Sequence, residues 1–209
     1  MGSIAVVDCG VGNLRSMSRA LEHVAPRHHV VVTDRAADLD RADRVVLPGQ
    51  GAMGTWMGAL DRFGLRGSVL RAIATRPVLG VCLGLQALYE ASDEDGGIAG
   101  FGSLCGSVRH FSDRIPSGAL KIPHMGWNKV IQTRPHPLWA GIEPDAHFYF
   151  VHSYFVDSAT DAETVGETEY GTVFTSAAAF DNVFAVQFHP EKSQRAGLTL
   201  LRNFLSWDA

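Results

Sequence analysis

The sequence predicts an α/β fold: an open, mostly parallel twisted sheet flanked by helices, with a smaller, partly antiparallel sheet. Three observations predict it. Short, continuously apolar segments alternate with helical patterns through the first half of the chain, as expected of a parallel sheet buried on both faces. The second half carries several strand-like runs with few helices between them. The 209 residues, 46% hydrophobic and 19% charged, suffice for one core without staples, so a single domain over residues 1–209 is expected.

Taken in order, residues 3–8 form a first strand that ends at a glycine-rich turn. Residues 13–24 have helical spacing, with Leu14, Met17, Leu21 and Val24 on one face. Residues 29–33 read as a second strand and 44–47 as a third, stopped by Pro48-Gly49. Two short helices fit between residues 54 and 75. Residues 77–81 are a fourth strand, and 83–91 resume a helical pattern. Residues 106–111, 127–132, 147–156, 171–174 and 183–187 are expected as strands of the smaller layer. A closing helix follows Ser193, a suitable N-cap, with Leu198, Leu201, Phe204 and Leu205 on one face.

Composition excludes several classes. The formal net charge is -4, with acids and bases interspersed and no long basic run, which argues against a nucleic-acid partner. The longest apolar run, residues 78–89, is interrupted by Gly80, Gly84 and Gln86. It falls short of the roughly 20 residues a bilayer requires. Met1-Gly2-Ser3 does not open a secretory leader. Cys9, Cys82 and Cys105 cannot all pair, so a reducing cytoplasmic setting is expected, with each cysteine either core filler or a reactive thiol.

Gly80-Val81-Cys82-Leu83-Gly84 has the G-x-C-x-G form after an apolar strand and before a helix. A sharp strand-to-helix turn of this kind presents one side chain to a site. The helix N-terminus favours a thiolate there, and the Leu83 N–H is placed to stabilise an oxyanion. A buried core cysteine is the alternative. Pro48-Gly49-Gln50-Gly51 follows the preceding strand, so its loop belongs at the same end of a parallel sheet. Its open backbone offers the Gln50 N–H as a second donor, or it is a simple turn. His189 and Glu191 are two apart, on one side of an extended chain, and Pro190 restricts His189 to extended conformations. That spacing suits a base and the group that orients it, or a surface His beside a Glu. The three segments carry more in conjunction than singly.

Pro48-Gly49-x-Gly51, Gly80-Val81-Cys82-Leu83-Gly84-x-Gln86 and His189-Pro190-Glu191 together resemble the class I (triad) glutamine amidotransferases. The resemblance implies a flavodoxin-like domain in which a cysteine attacks the side-chain amide of glutamine. Ammonia leaves, and a γ-glutamyl thioester is hydrolysed to glutamate. Position by position it implies Cys82 as nucleophile, His189 as acid and base, and Glu191 as its partner. The oxyanion amides would be those of Gln50 and Leu83. Gly49, Gly51 and Gln86 would meet the substrate, with Glu94, near the end of the following helix, for its amino group. No cofactor and no metal are implied.

Three further segments narrow the resemblance to the branch that serves histidine biosynthesis. They are Lys121-Ile122-Pro123-His124-Met125-Gly126-Trp127-Asn128, Phe148-Tyr149-Phe150-Val151-His152-Ser153-Tyr154 and Gly10-Val11-Gly12-Asn13-Leu14. This implies a heterodimer with a separate (β/α)8 cyclase subunit. That partner would use the ammonia to make imidazole glycerol phosphate and an aminoimidazole carboxamide ribotide. Asn13, Trp127 and Lys192 are then expected at the partner surface. A Trp between Gly126 and Asn128 in a polar loop also suits an interface anchor on physical grounds, a core aromatic being the alternative. Lys192 would pair with an acidic residue across the interface or stay solvated. Two departures are Cys9, where this branch often has an aromatic, and Gln50, where a small apolar residue is frequent. A backbone N–H serves with either side chain.

Rival classes are weaker. Gly10-x-Gly12 with Asp34 imitates a dinucleotide fingerprint, but Arg15 stands at the third glycine position. A chaperone-like protein with a cysteine elbow does not need His-Pro-Glu. A stand-alone hydrolase of γ-glutamyl peptides does not explain the 121–128 and 148–154 segments.

Overall fold

In the computed structural model, which describes residues 2–10 and 12–208, β1 (Ser3–Val7) lies between β2 (His29–Thr33) and β3 (Arg44–Gly49), and β4 (Val78–Cys82) lies beyond β3. All four run parallel. Their apolar sequences follow from burial on both faces. Ile4 and Val6 enter one core cluster, with Val46, Leu79 and Val81. Ala5 and Val7 enter the other, with Val45, Leu47 and Val78. The period-two alternation of a strand sends neighbours to opposite faces. The first cluster is closed by α1 (Leu14–Val24) and α6 (Gln194–Ser206), through Met17, Leu21, Leu200, Leu201 and Phe204. The second is closed by α3 (Met53–Arg62) and α4 (Arg66–Thr75), through Trp56, Leu60 and Val69. A short helix, α2 (Ala36–Arg41), was not expected; its six residues bury only Leu39 and give little periodic signal.

The predicted helix over 83–91 is a correction. Helix α5 spans Leu83–Gln86 alone, and the chain becomes strand β5 (Tyr89–Ser92). The carbonyl of Ala87 accepts from Phe101 N–H, and that of Leu88 from Ser103 and Leu104 N–H, so acceptors a longer helix needs are taken. Residues 83–89 are buried all round, and such a run carries no periodicity to separate helix from strand. Glu94 therefore lies in a single 3-10 turn after β5 and not near a helix end.

The later strands are β6 (Ile98–Ala99), β7 (Leu104–His110), β8 (His124–Lys129), β9 (Ile131–Gln132), β10 (His147–His152), β11 (Tyr154–Ser158), β12 (Thr164–Glu169), β13 (Val173–Phe180) and β14 (Val183–Val186). Most of them extend the large sheet instead of forming a second layer. Among the described residues that sheet has 12 strands, ordered β2-β1-β3-β4-β14-β13-β11-β7-β5-β6, with β12 on β13 and β9 on β12. The smaller sheet is the antiparallel pair β8 and β10. The strand expected over 147–156 is split at Ser153: His152 pairs with His124 in the small sheet, and Tyr154 pairs with His110 in the large one. Sequence alone did not show the break, because both halves are apolar.

Candidate active site

Registers bring the three motifs together. Gly49 pairs with Cys82 between β3 and β4, and Val186 of β14 pairs with Val81 on the other side of β4. The loop after β3, the elbow after β4 and the His segment after β14 therefore emerge at one end of adjacent parallel strands, where such sheets bind ligands.

Cys82 sits at φ 57° and ψ -105°, the strained left-handed region expected of an elbow. The turn needs glycines on both sides. A Cβ on Gly80 would come within 2.7 Å of the Gly84 carbonyl oxygen and 2.9 Å of Ala185, and one on Gly84 would meet the Leu47 carbonyl. Leu83 opens α5, where a backbone N–H has no intrahelical acceptor.

His189 Nδ1 is 2.9 Å from Glu191 Oε1, with the two side chains only 2% and 3% exposed. The pair was expected on an extended chain. His189 is extended, but Glu191 stands in a 3-10 turn over Pro190–Lys192, and the turn makes the contact. The backbone is tied on both sides: His189 N–H donates to Tyr149 O, and Ser193 Oγ donates to His189 O while accepting from Tyr149 N–H. Ser193 thus occupies the N-cap position of α6 but spends its hydroxyl on the site, not on its own helix. Burial disfavours the charged His189 ring. The Cys82 thiol and the Glu191 carboxylate outweigh it and push the ring up to about 9. Its Nε2 is buried and has no hydrogen-bond partner among the described residues.

Cys82 opens on a cavity of about 310 Å³, near the lower end of small-molecule sites, about 300–1,000 Å³. Gln50, Gly51, Leu83, Gln86, Glu94 and Lys192, all singled out from sequence, line it. Gly49 does not. It lines a separate hollow of about 10 Å³, together with Asn13, His189 and Glu191. Of the signature at residues 10–14, Val11 lies outside the described residues.

A model of the family described as glutamine amidotransferase class-I matches residues 5–207. Imidazole glycerol phosphate synthase subunit HisH of Aromatoleum aromaticum is 53% identical over 99% of both chains. The subunit of that name from Dechloromonas aromatica is 54% identical over 98% of this chain and 96% of its own.

The chain belongs to the class-I glutamine amidotransferases, in the HisH family.

Solved structures share the fold. A putative GMP synthase protein from Thermoplasma acidophilum superposes with TM-score 0.71 at 24% identity, over 99% of this chain and 93% of its own. PurLQS from Thermotoga maritima gives 0.73 at 19%, over 99% of each chain.

Within this amidotransferase, several predicted residues have structural duties as well. Gln86 donates both amide hydrogens, to Tyr154 O and to Gln187 Oε1, which leaves its own carbonyl for a ligand. Glu94 Oε2 accepts from Met53 N–H at 2.6 Å, at the start of α3, and burial pushes its carboxyl up. Asn13 caps α1 by accepting from Ser16 N–H. Lys192 Nζ lies over the Tyr149 ring at 5.8 Å. Trp127 is on strand β8 and not in a loop; it is 46% exposed and meets Tyr149 edge-on. Sequence reasoning missed Gln187, whose Nε2 is 3.5 Å from Cys82 Sγ. It had only the position after an apolar strand to mark it. The cavity wall at residues 151–154 falls within the 148–154 signature.

Proposed function

We propose that the chain is one glutamine amidotransferase domain over residues 1–209. It hydrolyses glutamine to glutamate and ammonia through Cys82, His189 and Glu191, and it passes the ammonia to a separate cyclase subunit of histidine biosynthesis. The observation that carries this reading is the sealed His189–Glu191 pair beside a strained cysteine that opens on a cavity. His189 takes the Cys82 proton, and the thiolate attacks the γ-carboxamide carbon. The oxyanion is held by the N–H groups of Gln50 and Leu83. His189 returns the proton to the leaving nitrogen, and ammonia departs from a γ-glutamyl thioester. Water, deprotonated by His189, then attacks the thioester, and glutamate leaves as the thiolate reforms. Gly51 and Gln86 border the amide end of the substrate. Glu94 attracts its ammonium group.

The relatives named above are synthase subunits, which supports a (β/α)8 cyclase as the partner and a cytoplasmic setting with Cys82 as a free thiol. Trp127 pairs across the small sheet with Tyr149, which lies under Lys192. This row leads from an exposed strand to the triad turn and supports a partner surface there, with Asn13 at the same end. The test is Cys82→Ala in the complex with the cyclase. Glutamine-dependent synthesis should be abolished while synthesis from ammonium salt at high pH is kept; retention of the glutamine-dependent rate would refute the nucleophile assignment.

A further inference from the structure

The triad chemistry leaves one sealed amide unused, and that amide touches the sulfur. Gln187 follows β14, next to Val186, which pairs with Val81 just before Cys82. Its side chain is fully buried, with Nε2 3.5 Å from Cys82 Sγ and Oε1 accepting from Gln86 Nε2 at 3.0 Å. Which end of the amide faces the sulfur is decided at a distance. The Tyr154 carbonyl can only accept, and Gln86 Nε2 donates to it at 3.1 Å. Gln86 therefore presents its NH₂ group to Gln187 as well, which turns the Gln187 carbonyl away from Cys82 and its N–H toward it.

The same carbonyl is held from its other side. His152 Nδ1 donates to Tyr154 O at 2.7 Å, so His152 Nε2 accepts, from His124 Nδ1 at 2.9 Å. His124 Nε2 in turn accepts from Asn128 Nδ2 at 3.2 Å. Burial keeps both rings neutral, pushed down to about 3 for His152 and about 4 for His124, as this single set of tautomers requires.

We propose that Gln187 is a further catalytic residue of the glutaminase centre: its Nε2–H donates to the Cys82 sulfur, and Gln86 is the positioning residue that keeps that N–H turned toward it. The proposal rests on Cys82 being the nucleophile. When the thiol proton passes to His189, negative charge appears on Sγ, where an N–H stabilises it and a carbonyl oxygen would repel it. The same bond eases departure of the thiolate when water cleaves the thioester. Gln187 does not border the cavity, so substrate binding does not depend on it.

The test compares the full chain with its Gln187→Leu and Gln187→Glu variants. Cys82 alkylation by iodoacetamide is followed across pH by peptide mass mapping, beside kcat and KM for glutamine. The titratable groups facing the sulfur are His189 with Glu191 behind it, Glu94 after β5, His152 and Tyr154 across the cavity, and Lys192; all are the same in the variants. In Gln187→Leu the alkylation profile moves up by about one pH unit or more, and kcat falls about tenfold or more with little change in KM, the size expected for a lost hydrogen bond to a charged group. Gln187→Glu, of nearly the same shape, moves the profile further, because its carboxylate faces the sulfur. If Gln187→Leu does not fold, Gln187→Glu decides alone. A folded variant with the native profile overturns the proposal. Glutaminase activity surviving in Cys82→Ala would overturn the nucleophile reading instead.

Discussion

The Nδ1 atom of His189 lies 2.9 Å from Oε1 of Glu191, in a pair almost closed to solvent. A carboxylate in that place fixes the ring tautomer, with Nδ1–H turned to Glu191 and Nε2 toward the thiol. Glu191→Gln should lower kcat for glutamine on the order of 10²–10⁴-fold, the range for loss of a positioned acid–base function. Steady-state kinetics with full rate retention would show that Glu191 only packs.

Three cysteines offer a test of selectivity. Burial, then the charge of Asp8, pushes the Cys9 thiol up to about 12. Cys105 is exposed on β7 and outside the cavity. A glutamine-mimicking electrophile should therefore label Cys82 alone, although a small alkylating agent also reaches Cys105. Peptide mapping that found the mimic chiefly on Cys9 or Cys105 would contradict the site.

Gly84→Ala tests the elbow as a packing problem. The new methyl would press on the Leu47 carbonyl, which is backbone of the central strand β3 and cannot turn aside. A loss of about 1–3 kcal/mol is expected from overpacking, together with loss of glutaminase activity as Cys82 is displaced. Urea unfolding with an unchanged midpoint would mean the turn has room that the geometry denies.

Stability should peak near pH 6.5. His124 and His136 are pushed down by burial to about 4, and His152 to about 3. Their folded values lie below the unfolded one, so the unfolded chain binds more protons as pH falls below about 6.5, and stability drops toward pH 4. His189 has the opposite sign: burial opposes its charge, but Cys82 and Glu191 raise it to about 9. Its contribution is full below about 6.5 and is lost as pH rises through about 9. Each unit corresponds to roughly 1.4 kcal/mol, so urea midpoints at pH 4, 6.5 and 9 should differ measurably. Equal midpoints at pH 6.5 and 4 would refute neutral buried imidazoles.

Trp127→Ala should weaken binding of the cyclase about tenfold or more, as for an aromatic anchor, while the free chain keeps its thermal midpoint. Calorimetric titration with an unchanged Kd would move the partner surface elsewhere.

The parallel half of the sheet was legible in the sequence because a strand buried on both faces must be apolar throughout, as in β1, β3 and β4. The elbow was legible because Gly80 and Gly84 are forced by close backbone contacts, and the nearness of His189 to Glu191 because they stand two apart, although a 3-10 turn and not an extended chain makes the contact. The sequence could not end α5 at Gln86 or split β10 from β11 at Ser153. The first run is buried on every side and the second reads as one continuous aromatic and β-branched strand, and in both the outcome depends on which distant N–H groups claim the carbonyls. Nor could it set Gln187 against Cys82, or direct the amide of Gln86. That orientation is imposed by Tyr154 O, 68 residues from Gln86, a relation that exists only once β11 has joined the sheet.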